Sequence, residues 1–227
     1  MDIKARIIEI LRRVNRAYGR PKPLRKTDPV DEIIRTVLSQ NTNDRNSLAA
    51  FAILKKHFKS WEGVLRADTR RIAQLIKHAG LANIKARRIK EVLAEIKRRE
   101  GRISLSLLKR LDPESGLEYL RSIKGVGPKT AACVLLFSFG KPVMPVDTHI
   151  YRVAGRLGLI GPKLSIEDAH KVLTKLIPKH LIYEFHLGII EHGRRTCKAQ
   201  NPRCGFCVLY NMCAFKNKAA FRKGEEH

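Results

Sequence analysis

The chain is short of acid. Its 227 residues hold 21 Asp and Glu against 46 Lys and Arg, a formal net charge of +25. Self-repulsion of that size opposes compaction and calls for a polyanionic partner, nucleic acid ahead of an acidic membrane surface. The cations are spread along the whole chain rather than gathered in a tail, which favours nucleic acid. Long apolar runs are also missing, and nothing approaches the ~20 residues of a membrane span. The start, Met1-Asp2-Ile3-Lys4, enters an amphipathic pattern without a signal-peptide core, so an intracellular setting (cytoplasm or nucleoid, prokaryotic-like) is expected. Glutamine occurs three times among dense cations, a composition that suggests a thermophilic source. Internal repeats, low-complexity tracts and alternating strand patterns are absent.

What is present reads with helical period. Ile3, Ile7, Ile8, Leu11 and Val14 form one apolar stripe, Ile33, Ile34, Val37 and Leu38 a second, and Leu48, Phe51, Ala52 and Phe58 a third. Start and stop signals stand between them. Asp68 precedes a helix holding Ile72, Leu75 and Ile76; Gly80 closes a helix after Ala79; Ser165-Ile166-Glu167-Asp168 is a capping box ahead of Val172, Leu173 and Leu176. The expectation is an all-α fold of about ten helices. The proline-rich stretches at 18–23 and 140–145 cannot continue a helix and mark domain limits. Residues 216–227 read as a charged, frayed tail.

Cysteine is scarce, five in all, yet four fall within seventeen residues as Cys197-x6-Cys204-x2-Cys207-x5-Cys213. Such crowding is unlike a secreted disulfide framework. Four thiolates hold zinc or an iron–sulfur cluster. Structural zinc favours two Cys-x2-Cys pairs; with one such pair and wide flanking loops, the spacing favours a cluster, with zinc second and disulfides third. Lys198 and Arg203, in the loop between the first two ligands and after Arg194 and Arg195, either rest on a phosphate backbone or balance the cluster's charge. Cys133, in an apolar run, is expected to be a buried packing residue.

Ile123-Lys124-Gly125-Val126-Gly127-Pro128-Lys129-Thr130 is a glycine turn entering a helix. Its glycines permit positive φ and close approach of backbone to a ligand, and Pro128 suits a first helical position. Free N–H groups at such a start suit phosphate. Lys129 is oddly placed, because a first-turn cation meets the unfavourable end of the helix dipole and Lys124 adds repulsion. Both effects favour a neutral, nucleophilic amine. Physics alone leaves two roles open for it, nucleophile and phosphate contact. Asp147, ahead of the helix at 150–157, is an N-cap whose carboxylate could also steady positive charge developing on a sugar. His149 reads as a packing residue.

The segment 125–131, Val146-Asp147-Thr148-His149 and the terminal cysteine spacing together resemble the endonuclease III branch of the helix-hairpin-helix DNA glycosylases, over about residues 1–215. The resemblance implies a two-lobed fold. A six-helix barrel domain would span 23–139, with the hairpin at about 117–136. An iron–sulfur cluster domain would combine 1–22 with 140–215. It further implies that Lys129 attacks C1′ of a flipped nucleotide, that Asp147 assists base departure, and that Cys197, Cys204, Cys207 and Cys213 hold a [4Fe–4S] cluster. Lys124, Gly125, Gly127, Lys198 and Arg203 would meet the DNA backbone. Leu81 resembles the wedge that enters the helix beside the orphaned base. One departure stands out in Leu38-Ser39-Gln40-Asn41-Thr42-Asn43-Asp44. Where the family has a base-filling glutamine this chain has Asn41, with Gln40 one residue early; the plainer role for both is to cap the helix starting near Asn43.

The expected function is a monomeric bifunctional glycosylase/AP lyase that removes oxidised pyrimidines from damaged duplex DNA through a lysine Schiff base and cuts 3′ by β-elimination. The second reading is a mismatch glycosylase for thymine or uracil opposite guanine. An adenine glycosylase fits less well, since that type lacks the lysine and carries a further C-terminal domain for which no room remains after Cys213. From a different class, a non-catalytic iron–sulfur DNA-binding protein would need only positive charge at Lys129, whereas a lyase needs a deprotonatable amine.

Overall fold

The computed structural model describes residues 2–222. Among them every regular element is helical, and no strand occurs. The α-helices are α1 (Ile3–Tyr18), α2 (Pro29–Ser39), α3 (Asp44–His57), α4 (Trp61–Arg66), α5 (Thr69–Leu75), α6 (Ala82–Glu100), α7 (Pro113–Arg121), α8 (Pro128–Phe139), α9 (Thr148–Arg156), α10 (Ile166–Leu176) and α11 (Ile182–Arg195), with short 3₁₀ turns between some of them. That is one α-helix more than the sequence signals suggest.

Much of the scarce acid stands at helix starts. The Asp28, Asp68, Asp112 and Asp147 side chains accept first-turn N–H groups of α2, α5, α7 and α9, and Asn43, Ser60 and Ser165 do the same for α3, α4 and α10. Each satisfies donors that the helix cannot pair internally. Prolines open α2, α7 and α8, where their missing N–H removes nothing.

The chain divides into two compact units. One spans Arg25–Lys141 and contains α2 to α8; the other joins the segment up to Leu24 with the segment from Pro142 onward. In the first unit α8 is the core helix, with Ala131, Ala132, Cys133, Val134, Leu135 and Leu136 all buried and α2 and α7 packed on it. A helix apolar on most faces belongs inside a core. The α7–α8 approach is close, since a Cβ on Gly116 would meet Leu135 at 3.0 Å. In the second unit α1 and α9 both pack on α11.

The second stripe lies where its spacing places it, with Ile33, Ile34, Val37 and Leu38 fully buried. The other two are rotated. On α1 the buried set is Ile7, Ile10, Leu11 and Val14, while Ile3 and Ile8 face out. On α3 it is Ser47, Ala50 and Leu54; Leu48 is 49% exposed, Ala52 is exposed, and Phe51 and Phe58 are half-buried. A one-sided helix buries only the residues in phase with its neighbours, and spare apolar side chains stay outside. The expected frayed tail is ordered as far as residue 222. Lys216–Ala219 is a 3₁₀ turn, Phe215 stacks on Phe221, and Lys218 Nζ donates to the carbonyls of Tyr210 and Cys213. Residues 223–227 lie outside the described residues.

The α1–α11 contact has no room to spare, because a Cβ on Gly188 would sit 2.9 Å from Val14 Cγ1. Gly188→Val is expected to destabilise the chain by about 2 kcal/mol through overpacking. Gly155→Ala, on α9 with open space around it, should instead gain roughly 0.5 kcal/mol from helix propensity. Urea unfolding of the two variants beside the native chain measures both.

Candidate nucleic-acid interface and cysteine cage

The hairpin closes α7 and opens α8. Ile123 and Val126 are buried, and a Val126 N–H to Ile123 carbonyl bond of 3.0 Å tightens the turn. Gly125 holds φ at +93°, and a Cβ there would press on Arg88 Cγ at 3.1 Å, so glycine is demanded both by conformation and by α6. Gly127 is the N-cap of α8 in ordinary extended conformation, and nothing lies within 4 Å of the position its Cβ would take. That leaves open space beside first-turn amides that no side chain caps and no acid in the first turn approaches. Lys124 is exposed and Lys129 half-buried.

Sequence reasoning missed a carboxylate in Lys129's neighbourhood. Glu32, in the first turn of α2, accepts a hydrogen bond from Thr27 Oγ1 at 3.1 Å, and Thr27 in turn stands 3.3 Å from Ser138 Oγ on α8. Burial holds the Glu32 carboxyl above its ordinary range; the charges of Arg35 and Lys129 and the Thr27 bond act in the opposite sense. An acid beside Asp31 in a helix's first turn reads as an ordinary partner of the helix dipole and carries no sequence signal of this kind.

Two further tips belong to the same unit. Gln40 is the C-cap of α2, and its Oε1 accepts from Arg88 Nη1 at 2.7 Å. Asn41 is exposed with φ +51°, and Leu81, half exposed at 50%, holds φ +49° as the first residue before α6. Asn43, not Gln40 or Asn41, caps α3. Non-glycine residues with positive φ are uncommon, and such strain concentrates at functional tips. The tips adjoin, since a Cβ on Gly80 would lie 3.8 Å from the Asn41 carbonyl. Arg88 thus touches two of the expected sites at once, its stem on Gly125 and its guanidinium on Gln40.

In the other unit, Asp147 is half-buried and its Oδ1 accepts the Ile150 N–H at 2.8 Å, capping α9. One carboxylate oxygen is thereby committed to the helix and the second remains for other work. His149 packs at Gly193 and stands 3.1 Å from Arg152 Nη2.

Cys197, Cys204, Cys207 and Cys213 all line one cavity of about 20 Å³, beside His192 and Arg156. None of the four, nor buried Cys133, is joined in a disulfide. The loop that carries them is braced by cations. Arg156 donates to Cys197 Sγ at 3.3 Å and to the Lys198 and Ala199 carbonyls, and Arg152 Nε donates to the Cys197 carbonyl. Lys198 and Arg203 point their charges outward as exposed residues, and so do Arg194 and Arg195. Burial pushes the Cys207 thiol up to about 11, and the sulfurs of Cys197, Cys213 and Cys204 push the same way. Cys204 is buried and the other three are half-buried, and crowded sulfurs bind as thiolates only to a strongly cationic group. No carboxylate lines the cavity; its donors are four sulfurs and the His192 imidazole, whose Nε2 stands 3.8 Å from Cys207 Sγ, a set that fits a soft group, zinc or iron–sulfur. Among the described residues no three or more His, Cys, Asp or Glu converge as a single-ion site.

The sequence profile of the HhH-GPD superfamily base excision DNA repair proteins matches residues 34–179. The chain belongs to that superfamily. Among HhH-GPD relatives, endonuclease III of Thermotoga maritima is 36% identical over 220 residues, 96% of each chain. A non-covalent endonuclease III–DNA complex matches with TM-score 0.82 at 29% identity, over 98% of this chain and 100% of that one. A trapped endonuclease III–DNA covalent intermediate matches with TM-score 0.81 at 28% identity, over 97% and 99%. The HhH-GPD match takes in the hairpin, Lys129 and Asp147, while the cysteine cage follows it in the chain.

The raised Glu32 carboxyl has a consequence for stability. Folding tightens its proton, so its contribution is complete below the ordinary 4.5 and is lost as pH climbs through the raised value. Glu32→Gln removes that dependence. The variant should therefore gain on the native chain as pH rises from about 4.5 towards neutrality, which urea unfolding at acid and neutral pH would reveal.

Proposed function

We propose that this HhH-GPD protein is a bifunctional DNA glycosylase/AP lyase that removes oxidised pyrimidines, such as thymine glycol, from duplex DNA. The observation that carries the reading is Lys129 in the first turn of α8, behind the open space at Gly127, in a chain akin to endonuclease III throughout its length. Backbone amides at the hairpin would hold a phosphate while the lysine meets the sugar. The damaged nucleotide leaves the stack, at a cost of a few kcal/mol that is least for a damaged base.

The Lys129 amine, unprotonated, then attacks C1′ and the C1′–N bond breaks, with the electron pair leaving on the base. The Asp147 carboxylate steadies the positive charge that develops on the sugar. The C1′-bound amine loses one proton and the C1′–O4′ bond breaks, O4′ taking up a proton as a hydroxyl, which leaves a protonated Schiff base between Nζ and C1′. Removal of a C2′ proton then expels the 3′ phosphate, and water hydrolyses the Schiff base to release Lys129. Leu81 fills the stack beside the orphaned base, with Gln40 and Asn41 facing it.

Cys197, Cys204, Cys207 and Cys213 are the residues that would hold a [4Fe–4S] cluster. Its supply of positive charge would fix the loop that presents Lys198 and Arg203 to the phosphate backbone.

Borohydride reduction on a thymine-glycol duplex tests the chemistry. The native chain should give a covalent protein–DNA adduct. Lys129→Ala should give none, and Lys129→Arg, which keeps the charge but not the deprotonatable amine, should still bind and give none. An adduct with Lys129→Ala, or base loss without one in the native chain, overturns the Schiff-base assignment; guanine–thymine and guanine–uracil duplexes run alongside separate the damage and mismatch substrates. Affinity should fall with salt at a logarithmic slope of about −0.9 per phosphate contact, and Lys198→Ala should make it shallower by about one such contact. The cluster has its own readout: native protein should be brown, and Cys207→Ser should lose most of that visible absorbance.

A further inference from the structure

Lys85 is the one large cation in the core of its unit. It is 2% exposed, lies on the inner face of α6 with Ala86 and Ile89, and is among the largest fully buried side chains described. A buried ammonium normally requires a carboxylate. Lys85 has carbonyls instead: Nζ donates to Leu38 at 2.7 Å and to Ala79 at 2.6 Å. Burial holds its ammonium below the ordinary lysine range, yet either protonation state keeps the two N–H donors these bonds need.

The two acceptors are not arbitrary. Leu38 lies in the last turn of α2, and Ala79 ends the 3₁₀ turn Lys77–Ala79. Carbonyls at such ends lack intrahelical partners and carry the negative end of the helix dipole, which is where a cation belongs. Lys85 is thus a shared C-cap for two elements that are distant in sequence. Directly beyond each carbonyl the chain runs out to an exposed tip in left-handed conformation, Asn41 after Leu38 and Leu81 after Ala79.

We infer that Lys85 is a positioning residue that sets the spacing of the Asn41 and Leu81 tips, so that they enter an opened duplex as one rigid wedge. One nitrogen grips both loop bases, and neither tip shifts without breaking a buried bond to the donor that the other also uses. The role in DNA opening rests on the function proposed above; the mechanical coupling does not.

Lys85→Met keeps the length and apolar stem of the side chain and removes its donors. Two measurements on the full chain decide the inference. By hydrogen exchange, the amides of 39–43 and of 80–84 should accelerate together, by about tenfold or more, with the rest of α2 and α6 little changed. Acceleration of only one segment, of neither, or of the whole unit overturns the shared anchor.

In single-turnover base removal, the rate on a thymine-glycol duplex should fall at least about tenfold further than the rate on the same oligonucleotide as a single strand, which needs no wedge. Equal losses on the two substrates would make Lys85 merely structural. If the native chain removes the base from neither substrate, the proposed function fails, and the exchange result still decides whether the tips are coupled.

Discussion

Shortage of acid shapes this molecule more than any single contact. With 46 basic residues and 21 acidic ones, most cations that approach the core cannot be met by a carboxylate, and backbone carbonyls take that part. Lys85 caps α2, Lys90 donates to Ala67 at the end of α4, Arg99 to Ser122 at the end of α7, Arg6 to Leu157 at the end of α9, and Arg152 to Gly193 in the last turn of α11. These carbonyls would otherwise be orphaned and carry partial negative charge, so each bond satisfies a helix end and a cation together. Among the described residues ion pairs remain mostly local and at least partly exposed, as in Arg98 and Arg99 on Glu95 or Arg12 and Arg13 on Glu9, where they contribute little. The helix ends therefore serve as the counter-ions that the composition withholds.

Much of the fold follows from signals that act locally. Caps at Asp28, Asn43, Asp68, Asp112, Asp147 and Ser165, with prolines after two of them, mark helix starts through one or two hydrogen bonds each, and the same chemistry operates in the sequence and in the structure. The phase of a helix is a different matter. On α1 the apolar residues at 3, 7 and 8 satisfy a helical spacing as well as those at 7, 10 and 11 do, and only the neighbouring α11 selects the second set. The polar contacts that organise the tips were equally hidden. Lys85 sits on an apolar stripe of α6, where the usual expectation for lysine is a solvated face, and its acceptors are carbonyls 47 and 6 residues away. Arg88 looks like one more cation in a basic helix until its stem is found on Gly125 and its guanidinium on Gln40.

The α6 helix consequently does more than fill the core. Lys85 and Arg88, one turn apart, reach the base of the Asn41 loop, the base of the Leu81 turn, the Gln40 side chain and the hairpin glycine. Those are the features through which this HhH-GPD unit is proposed to meet an opened duplex. Residues at this spacing lie on one face of a helix, so three chain segments are referred to a single rigid element. The unusual φ values of Asn41 and Leu81 belong with this arrangement. Strained tips persist only when the surrounding structure over-determines them, and here two buried hydrogen bonds do so.

Glu32 is the exception that bears on the chemistry. In a chain where carboxylates stand mainly at helix starts and on exposed helix faces, this one is drawn far enough from water for burial to raise its proton affinity, while the charge of Lys129 acts against that rise. Sequestering one of so few acids is unfavourable by itself, because a desolvated carboxylate loses hydration that one Thr27 hydroxyl does not replace. The cost is local and the field is local too. In the function proposed above Lys129 must lose a proton before it attacks, and Glu32 is a carboxyl that feels the charge of that lysine. The Thr27 and Ser138 hydroxyls tie the acid to the helix that carries the lysine, so acid and amine are held by the same α2–α8 contact that forms the core of the unit.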